Sequence, residues 1–379
     1  MKRDSMIRPL IVLGTRPEAI KLAPIILACR AERTIAPVVC STGQHREMLD
    51  QVFDYFGLRP DIDLGLMTPN QSLAELTAKA IGAVDRVIAE HPVDRVVVQG
   101  DTSTVLAASV AAFYRNLPVI HVEAGLRTGD LRAPWPEEFN RRVTGLVAQY
   151  HCAPTDRAAD ALRREGIAES AIRVTGNTVI DALLIAVAQE RKRDSDRLAQ
   201  FPMAGGQSVV LITGHRRENY GSALESICGA IVRLAHAHPE TEFIYPVHLN
   251  PNVRGPVIER LGGIANVHLL PPANYPEFVW LMDRAKVILT DSGGVQEEAP
   301  SLGVPVLVTR EKTERPEAVE SGLAELVGTD RDLIIRRVSH WLRCPKKETA
   351  SIDPGVNPYG DGHASERIVR WMLEMGTAA

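Results

Sequence analysis

The sequence predicts an α/β protein with two doubly wound domains, each a parallel sheet covered by helices. Short aliphatic segments alternate with longer helical patterns along nearly the whole chain of 379 residues, as expected for successive β–α–β units. The chain is also longer than one ordinary hydrophobic core requires. Because eight or more β–α units are equally compatible with one closed barrel, that alternative remains open from these observations alone.

The aliphatic segments predict five strands in each half of the chain. Those of the first half are residues 10–15, 36–42, 95–100, 118–124 and 150–155. Those of the second half are residues 208–215, 242–249, 266–272, 286–292 and 305–310. Helical patterns between them include residues 17–31 and 72–91. The charged segment 190–207 predicts an exposed connection between the halves, and a hinge near residues 174–178 is the alternative.

Composition and charge narrow the class of protein. The net charge of −4, with 45% hydrophobic and 24% charged residues, gives no general reason to expect nucleic acid or an anionic membrane as a partner. The five cysteines form no CxxC pair, so they indicate reduced thiols rather than a disulfide framework or a zinc site. The first apolar segment is too short for a signal peptide, and no apolar span of membrane length follows. We expect a cytoplasmic protein.

Polar and charged residues concentrate where the predicted strands end. Six strand ends carry such residues, in the segments GTRPE, QGDTST, HVEAGLRTGD, TGHRREN, PVHLNP and DSGG. Ligands of open parallel sheets bind beyond the carboxyl ends of the strands. The local positive charge there comes from Arg16, Lys21, Arg127, Arg141, His215, Arg216 and Arg217. These positions predict a site for an anionic ligand, in which Arg16 and Lys21 could face one phosphate.

The segment VILTDSGGVQEEAP, residues 287–300, predicts a strand, a turn and a helix. We expect Ser292, Gly293 and Gly294 to form a sharp turn with positive φ, followed by a helix over residues 296–302. Glycine lets a phosphate approach the N–H groups at a helix start, and carboxylates one turn later suit the neutral hydroxyls of a ribose. A nucleoside diphosphate is one candidate ligand, and an ordinary strand–turn–helix connection is the alternative.

Three carboxylates are candidates for acid–base chemistry, namely Asp101, Glu123 and Glu137. For Asp101, capping of the following helix is an equal alternative. Metal binding is the competing use of Asp101, His121, Glu123 and His215, but no HExxH, CxxC or paired-carboxylate loop supports a required metal. The chain also lacks GxGxxG, GxSxG and Walker A motifs. We therefore expect neither a metal nor another cofactor.

In their order along the chain, the motifs resemble those of bacterial non-hydrolysing UDP-N-acetylglucosamine 2-epimerases. The segments that carry the resemblance are GTRPEAIKLAP, TGQHREMLDQV, VQGDTSTVLA, HVEAGLRTGD, PWPEEFNRR, TGNTVIDAL, TGHRREN, YPVHLNPNVR, LTDSGGVQEEAPSLG, KTERPEAVESG and NPYGDGHASERI. The resemblance implies two Rossmann-like domains of GT-B architecture with a cleft between them. It places residues 1–176 in the first domain and residues 177–362 in the second, with residues 363–379 returning to the first as a helix.

The family resemblance also implies a reaction, the interconversion of UDP-N-acetylglucosamine and UDP-N-acetylmannosamine through elimination of UDP to 2-acetamidoglucal and its re-addition. It implies a homodimer. Carried over residue by residue, the catalytic positions are Asp101, Glu123, Glu137 and His215. The substrate-binding positions are Arg16, Lys21, Arg141, Ser292, Gly293, Gly294 and, for the ribose, Glu298.

One departure concerns regulation. Family members activated by their own substrate carry a Gln-x-x-Gln pair after the second strand and an arginine shortly downstream. This chain has Gln44 but Glu47, and its segment MTPNQSL holds no arginine. The candidate activator site, Gln44 and His248, is therefore incomplete, and we expect weak activation by substrate.

Two other functions are compatible with the motifs. A glycosyltransferase or hydrolase on the same scaffold would pass the sugar to an acceptor or to water. A non-catalytic UDP-sugar sensor should have lost the acid–base residues, whereas this chain retains all of them.

Overall fold

A computed structural model describes residues 6–44, 46–68, 70–201, 206–345 and 357–375. Backbone contacts divide the chain into two compact units. The first consists of Met1–Ala182 and Gly362–Ala379, and the second of Leu183–Asp361. The predicted cleft and the predicted domain boundary after residue 176 stay predictions.

The first unit is built on a seven-stranded parallel sheet. Its strands are β1 (Pro9–Leu13), β2 (Val38–Ser41), β3 (Ile62–Asp63), β4 (Arg95–Gln99), β5 (Val119–Val122), β6 (Tyr150–Ala153) and β7 (Ile172–Val174). They pair in the order β3-β2-β1-β4-β5-β6-β7, and every pair is parallel. The strand order reverses between β1 and β4, which is where doubly wound sheets bind ligands.

Helices follow the strands of the first unit. They are α1 (Arg16–Ala31), α2 (Arg46–Phe56), α3 (Leu73–Glu90), α4 (Ser103–Tyr114), α5 (Glu137–Val147), α6 (Asp156–Arg164) and the start of α7 (Thr178–Glu190). The sequence explains their boundaries: α3 begins at Leu73 because the Ser72 side chain accepts the Glu75 N–H, in a capping box. The inner faces of α3 and α4 pack on β1 and β4 in one apolar cluster that includes Val84, Val96 and Val105.

The second unit repeats the plan with six strands. These are β8 (Ser208–Thr213), β9 (Thr241–Pro246), β10 (Val267–Leu270), β11 (Val287–Thr290), β12 (Val306–Val308) and β13 (Ala324–Leu326). All pairs are parallel, in the order β10-β9-β8-β11-β12-β13. The helices are α8 (Asp194–Gln200), α9 (Ser222–Ala237), α10 (Pro251–Leu261), α11 (Tyr275–Arg284), α12 (Gly293–Glu298), α13 (Pro316–Glu320) and α14 (Arg331–Arg343). Here the order reverses between β8 and β11.

The last helix, α15 (Ala364–Met375), belongs to the first unit. Its first turn is held by Asp181, whose carboxylate accepts the Ala364 N–H (3.2 Å) and the Ser365 N–H (2.7 Å). Farther along, Trp371 packs edge-on against Tyr150, with ring centroids 5.3 Å apart. The prediction that the C-terminal helix returns to the first domain is confirmed.

Several expectations from the sequence need correction. The closed barrel is wrong, because the described strands form two open sheets. The short strands β3, β7 and β13 were not predicted. The expected exposed connection is partly helical, since α8 lies within residues 190–207 and its Arg197 is buried. Residues 202–205 of that segment lie outside the described residues.

The expected turn at residues 292–294 is also wrong in its geometry. Helix α12 begins at Gly293 rather than at residue 296, and neither Gly293 nor Gly294 has a positive φ. Ser292 takes the N-cap position in an extended conformation. The described part of the chain contains no helix long and apolar enough to cross a membrane.

Candidate functional site

Asp101 lies directly beyond β4 in the first unit and does not cap a helix. The N-cap of α4 is Thr102, whose hydroxyl accepts the Val105 N–H at 3.2 Å. Asp101 instead pairs with Arg141, with 2.8 Å between Oδ2 and Nη2. Burial raises the pKa of Asp101, the Arg141 guanidinium opposes that rise, and the charge of nearby Glu123 adds to it. The capping alternative for Asp101 is therefore wrong.

Glu123 follows β5 in a left-handed backbone conformation, with φ of 61°. The Lys21 ammonium lies 2.6 Å from its Oε1 and 2.7 Å from its Oε2. Two buried carboxamides also donate to it: Asn177 to Oε1 at 3.0 Å, and Gln99 to Oε2. The carboxylate is thus held from three separate elements of the first unit.

The two glutamates at the start of α5 differ in role. Glu138 is fully buried and accepts the N–H groups of Thr128 (3.1 Å) and Gly129 (3.3 Å), so it fixes the loop before the helix. Glu137 is half-buried and near enough to Asp101 for its charge to help raise the pKa of that group. Both Glu123 and Glu137 are therefore near enough to Asp101 to affect its charge.

The cationic side chains of the first unit have different partners. Lys21 points to Glu123, whereas Arg16 is exposed at the first position of α1. Five positions along a helix turn the direction of a side chain by about 140°, and the expectation that both face one phosphate stays a prediction. Arg127 forms a two-point ion pair with Glu165, with both distances 2.8 Å. Arg141 remains the cation nearest Asp101.

In the second unit, His215 follows β8 and Asp291 follows the neighbouring strand β11. The Asp291 carboxylate is fully buried and accepts the backbone N–H groups of His215 (3.0 Å) and Arg216 (2.9 Å). The His215 Nδ1 lies 3.1 Å from Asp291 Oδ1, and Asn219 donates from its amide at 3.2 Å. Burial alone would raise the pKa of Asp291, but these donors outweigh it and lower the pKa.

A small pocket opens beside this loop. It is lined by Gly214, His215, Arg216, Asn219, Tyr245 and Asp291, among other residues of the second unit. The candidate activator residue His248 lies close by, with its ring centroid 6.0 Å from that of His215. The other candidate, Gln44, lies in the first unit, next to Gly14. A Cβ atom added at Gly14 would lie 3.3 Å from the Oε1 of Gln44.

The start of α12 lies among polar side chains. A Cβ at Gly293 would lie 3.8 Å from Arg216 Nη2, and one at Gly294 would lie 3.9 Å from both Ser292 Oγ and Glu298 Oε2. The two glycines therefore lie beside an arginine, a serine hydroxyl and a carboxylate. The neighbouring Glu297 is ion-paired with Arg315 and so helps hold the loop before α13.

A metal centre has no support from the described residues, which contain no group of three or more His, Cys, Asp or Glu side chains suited to holding an ion. His121, one of the metal candidates, is buried, and its Nε2 lies 2.8 Å from the Gly100 carbonyl oxygen. Burial lowers the pKa of His121 to about 3.

Comparison with known proteins decides the family. A sequence profile for UDP-N-acetylglucosamine 2-epimerase matches residues 27–373. The chain is 51% identical over 364 residues to the UDP-N-acetylglucosamine 2-epimerase of Escherichia coli strain K12, covering 95% of this chain and 96% of that protein. The chain belongs to the UDP-N-acetylglucosamine 2-epimerase family. The predictions of this family and of an isomerase are confirmed.

Solved structures of the epimerase family share the fold. The UDP-N-acetylglucosamine 2-epimerase of Neisseria meningitidis, crystallised with UDP-N-acetylglucosamine, is 47% identical and matches with a TM-score of 0.87, covering 97% of this chain and all of that one. A Listeria monocytogenes structure, a putative member of the family, matches with a TM-score of 0.88 at 39% identity, over 98% of this chain and 97% of that one. The predicted fold of two parallel-sheet domains is confirmed.

Three candidate residues escaped the sequence analysis, namely Gln99, Asn177 and Asp291. Gln99 and Asp291 lie at the ends of buried strands, within segments already singled out, so a polar residue at a strand end was the available signal. Asn177 follows the short strand β7 and was treated as part of a hinge. Only its hydrogen bond to Glu123 reveals it.

Proposed function

We propose that the protein interconverts UDP-N-acetylglucosamine and UDP-N-acetylmannosamine by inverting C2 of the sugar. The observation that carries the proposal is that Asp101 and Glu123, beyond the carboxyl ends of β4 and β5, pair with Arg141 and Lys21, and that Glu137 lies near Asp101. Inversion at carbon needs a proton removed from one face and returned to the other, hence acid–base groups on two sides. Membership of the epimerase family supports the same reaction.

The reaction proceeds by elimination, because C2 has no adjacent carbonyl to stabilise a carbanion. Departure of UDP from C1 lets the ring oxygen stabilise positive charge while the C2–H bond breaks. The electron pair of that bond forms the C1–C2 double bond of 2-acetamidoglucal, and the proton passes to a carboxylate. Return of a proton to the opposite face of C2 and re-addition of UDP at C1 complete the inversion. Asp101, Glu123 and Glu137 are the proposed proton-transferring groups, and the proposal does not divide them between the two faces of C2.

The second unit supplies the nucleotide-binding groups. Arg216 and His215 carry positive or hydrogen-bonding groups for the diphosphate, beside Gly293 and Gly294. Such groups stabilise the charge that develops on a departing UDP. In this proposal, Glu298 accepts hydrogen bonds from the ribose hydroxyls. Arg16 and Arg141 bind the substrate from the first unit, as the family pattern implies.

Two finer properties remain part of the proposal, a cytoplasmic location and a homodimer. A cytoplasmic location agrees with the nucleotide-linked substrate. The homodimer follows from the family resemblance, and sedimentation of the purified protein measures it directly.

The test is product analysis by NMR after incubation with UDP-N-acetylglucosamine. We expect UDP-N-acetylmannosamine to appear until a constant ratio of the two sugars is reached from either side. Free N-acetylmannosamine with UDP would instead show a hydrolase. Bound but unchanged substrate would show a sensor, and loss of substrate only with an acceptor present would show a transferase. The variant Glu137→Gln should slow conversion strongly, whereas the exposed control Glu90→Gln should not.

A further inference from the structure

The Glu123 carboxylate is enclosed by donors on both of its oxygens. Oε1 receives the Lys21 ammonium at 2.6 Å and the Asn177 amide at 3.0 Å. Oε2 receives the same ammonium at 2.7 Å and the Gln99 amide. Glu123 is only 8% exposed, and Gln99 and Asn177 are each 2% exposed. The carboxylate is therefore fixed in position by groups that have little freedom themselves.

The two carboxamides are themselves oriented. Asn177 Oδ1 accepts the Val179 N–H at 3.1 Å, so the other end of its amide must present N–H groups to Glu123. Gln99 is the last residue of β4, next to β5 in the sheet, with Gln99 opposite Val122 in the register. Its side chain thus reaches Glu123 from the adjacent strand. Asn177 reaches it from the segment between β7 and α7.

Neither carboxamide can transfer a proton at C2, because amides neither gain nor lose protons near neutral pH. Their effect must therefore act through Glu123. A proton-transferring group has to lie within hydrogen-bonding distance of the proton that it moves, and small displacements reduce the rate steeply. The left-handed backbone of Glu123 is also a conformation that non-glycine residues hold only when their surroundings enforce it.

We propose that Gln99 and Asn177 are positioning residues that hold the Glu123 carboxylate in place for proton transfer at C2 of the sugar. This inference rests on the proposed epimerisation. It extends the site from the acid–base groups to two neutral amides that orient one of these groups. It also gives Asn177, which lies in the alternative hinge segment, a role in catalysis through Glu123.

The charges around Glu123 define what a substitution should do. Lys21 approaches from α1, Asp101 lies on the loop beyond β4, and His121 on β5 is kept neutral by burial. Replacing the Gln99 amide with a carboxylate would add a negative charge directly beside Glu123. Like charges at this distance favour the protonated form. The two carboxylates would then hold one proton between them to higher pH, so the limb of the pH profile that this pair sets should move to higher pH.

The experiment compares four variants with the wild type, using full-length protein and UDP-N-acetylglucosamine. Gln99→Met and Asn177→Leu remove a donor at similar volume. Gln99→Glu adds the charge. Asn266→Leu is the matched control, because Asn266 is an amide that donates to three backbone carbonyls in the second unit. We measure kcat, KM, the affinity for UDP and the thermal midpoint of each variant.

The expected result separates positioning from stability. Gln99→Met and Asn177→Leu should lower kcat at least tenfold while KM and UDP affinity change less than about twofold, because the lost interaction acts on the chemical step. Gln99→Glu should move the kcat limb upward by about one pH unit. Asn266→Leu should lower the thermal midpoint with little change in kcat of the folded enzyme.

Three outcomes would overturn the inference or its basis. Unchanged kcat in both Gln99→Met and Asn177→Leu, with an active wild type, would reject the positioning role alone. An unchanged pH profile of kcat in Gln99→Glu would also reject the positioning role. This variant still tests Gln99 if Gln99→Met fails to fold. A wild type that does not epimerise C2 would reject the proposed function, and this inference with it.

Discussion

At the scale of single residues, neighbouring carboxylates in this chain differ sharply in their surroundings. Glu297 is ion-paired with Arg315 while Glu298 lies beside Gly294, and Glu138 is buried against a loop while Glu137 is near Asp101. The sequence shows each pair only as adjacent glutamates. Adjacent positions at a helix start point in different directions, so the two members of each pair meet different neighbours.

The first prediction concerns Glu298. If its carboxylate binds the ribose hydroxyls, Glu298→Ala should weaken UDP binding by about 1–3 kcal/mol, since the hydroxyls lose a charged acceptor. Calorimetric titration with UDP measures this. The control Glu259→Ala, an exposed position on α10, should bind UDP normally. Equal UDP affinity in Glu298→Ala and the wild type would remove the ribose assignment.

The second prediction concerns the buried Glu18 of α1. Its carboxylate accepts the N–H groups of Gly14 (3.1 Å) and Thr15 (2.7 Å) and the hydroxyl of Thr102 (2.8 Å). Burial nevertheless raises its pKa from 4.5 to about 7. The folded chain thus binds this proton more tightly than the unfolded chain. The stability that results is fully present below pH 4.5 and is lost as the pH rises through 7.

The variant Glu18→Gln is neutral at every pH and should lack this dependence. Relative to the wild type, its free energy of unfolding should improve by about 3 kcal/mol between pH 4.5 and pH 8. Thermal midpoints of both proteins near pH 5 and pH 8 measure the change, with the exposed Glu90→Gln as control. The same difference in midpoint at both pH values would contradict the prediction.

At the scale of elements, length decided which strands the sequence could predict. Strands of four to six residues carry enough aliphatic side chains to stand out, as the Val96, Val97 and Val98 run of β4 does. Strand β3 has two residues, and β7 and β13 have three each. Two or three residues cannot show a period, so strands this short are found only where every residue is aliphatic, as in the three-residue strand β12 (Val306–Val308).

The third prediction concerns the attachment of α15 to the first unit. Asp181 accepts two N–H groups of the first turn of α15 and the Ser365 hydroxyl (2.6 Å). Asp181→Ala should leave these donors unpaired and lower the free energy of unfolding of the first unit by about 1–3 kcal/mol. Amide hydrogen exchange should show reduced protection in α15. The control Asp330→Ala, which removes the cap of α14, should leave α15 protected.

At the scale of the whole molecule, the repeated topology explains why so much of the site was predictable. In each sheet the strand order reverses once, between β1 and β4 and between β8 and β11. Polar residues that follow β4 and β8 must lie near the reversal, and Glu123 follows β5, the neighbour of β4, so Asp101, Glu123 and His215 could be found from the sequence. Gln99 and Asp291 also lie at strand ends, but their roles, like that of Asn177, depend on partners distant in the chain, and no local pattern shows such partners.

The fourth prediction concerns activation of the enzyme by its own substrate. The activator pattern is incomplete, with Glu47 exposed in the first turn of α2 and no arginine in residues 67–73. Initial rates should therefore rise nearly hyperbolically with UDP-N-acetylglucosamine, with a Hill coefficient near 1. Restoring part of the pattern in Glu47→Gln should raise the coefficient if the site is otherwise intact. Strongly sigmoidal rates in the wild type would contradict this prediction.

The central claim is that C2 loses its proton during elimination of UDP and regains one on the other face. The most direct measurement is NMR of the reaction in D2O. UDP-N-acetylmannosamine formed there should carry deuterium at C2, and prolonged turnover should label the UDP-N-acetylglucosamine pool as well. Slow release of UDP and 2-acetamidoglucal should accompany it, because the intermediate is held only noncovalently. Retention of the original C2 proton through many turnovers would contradict the account.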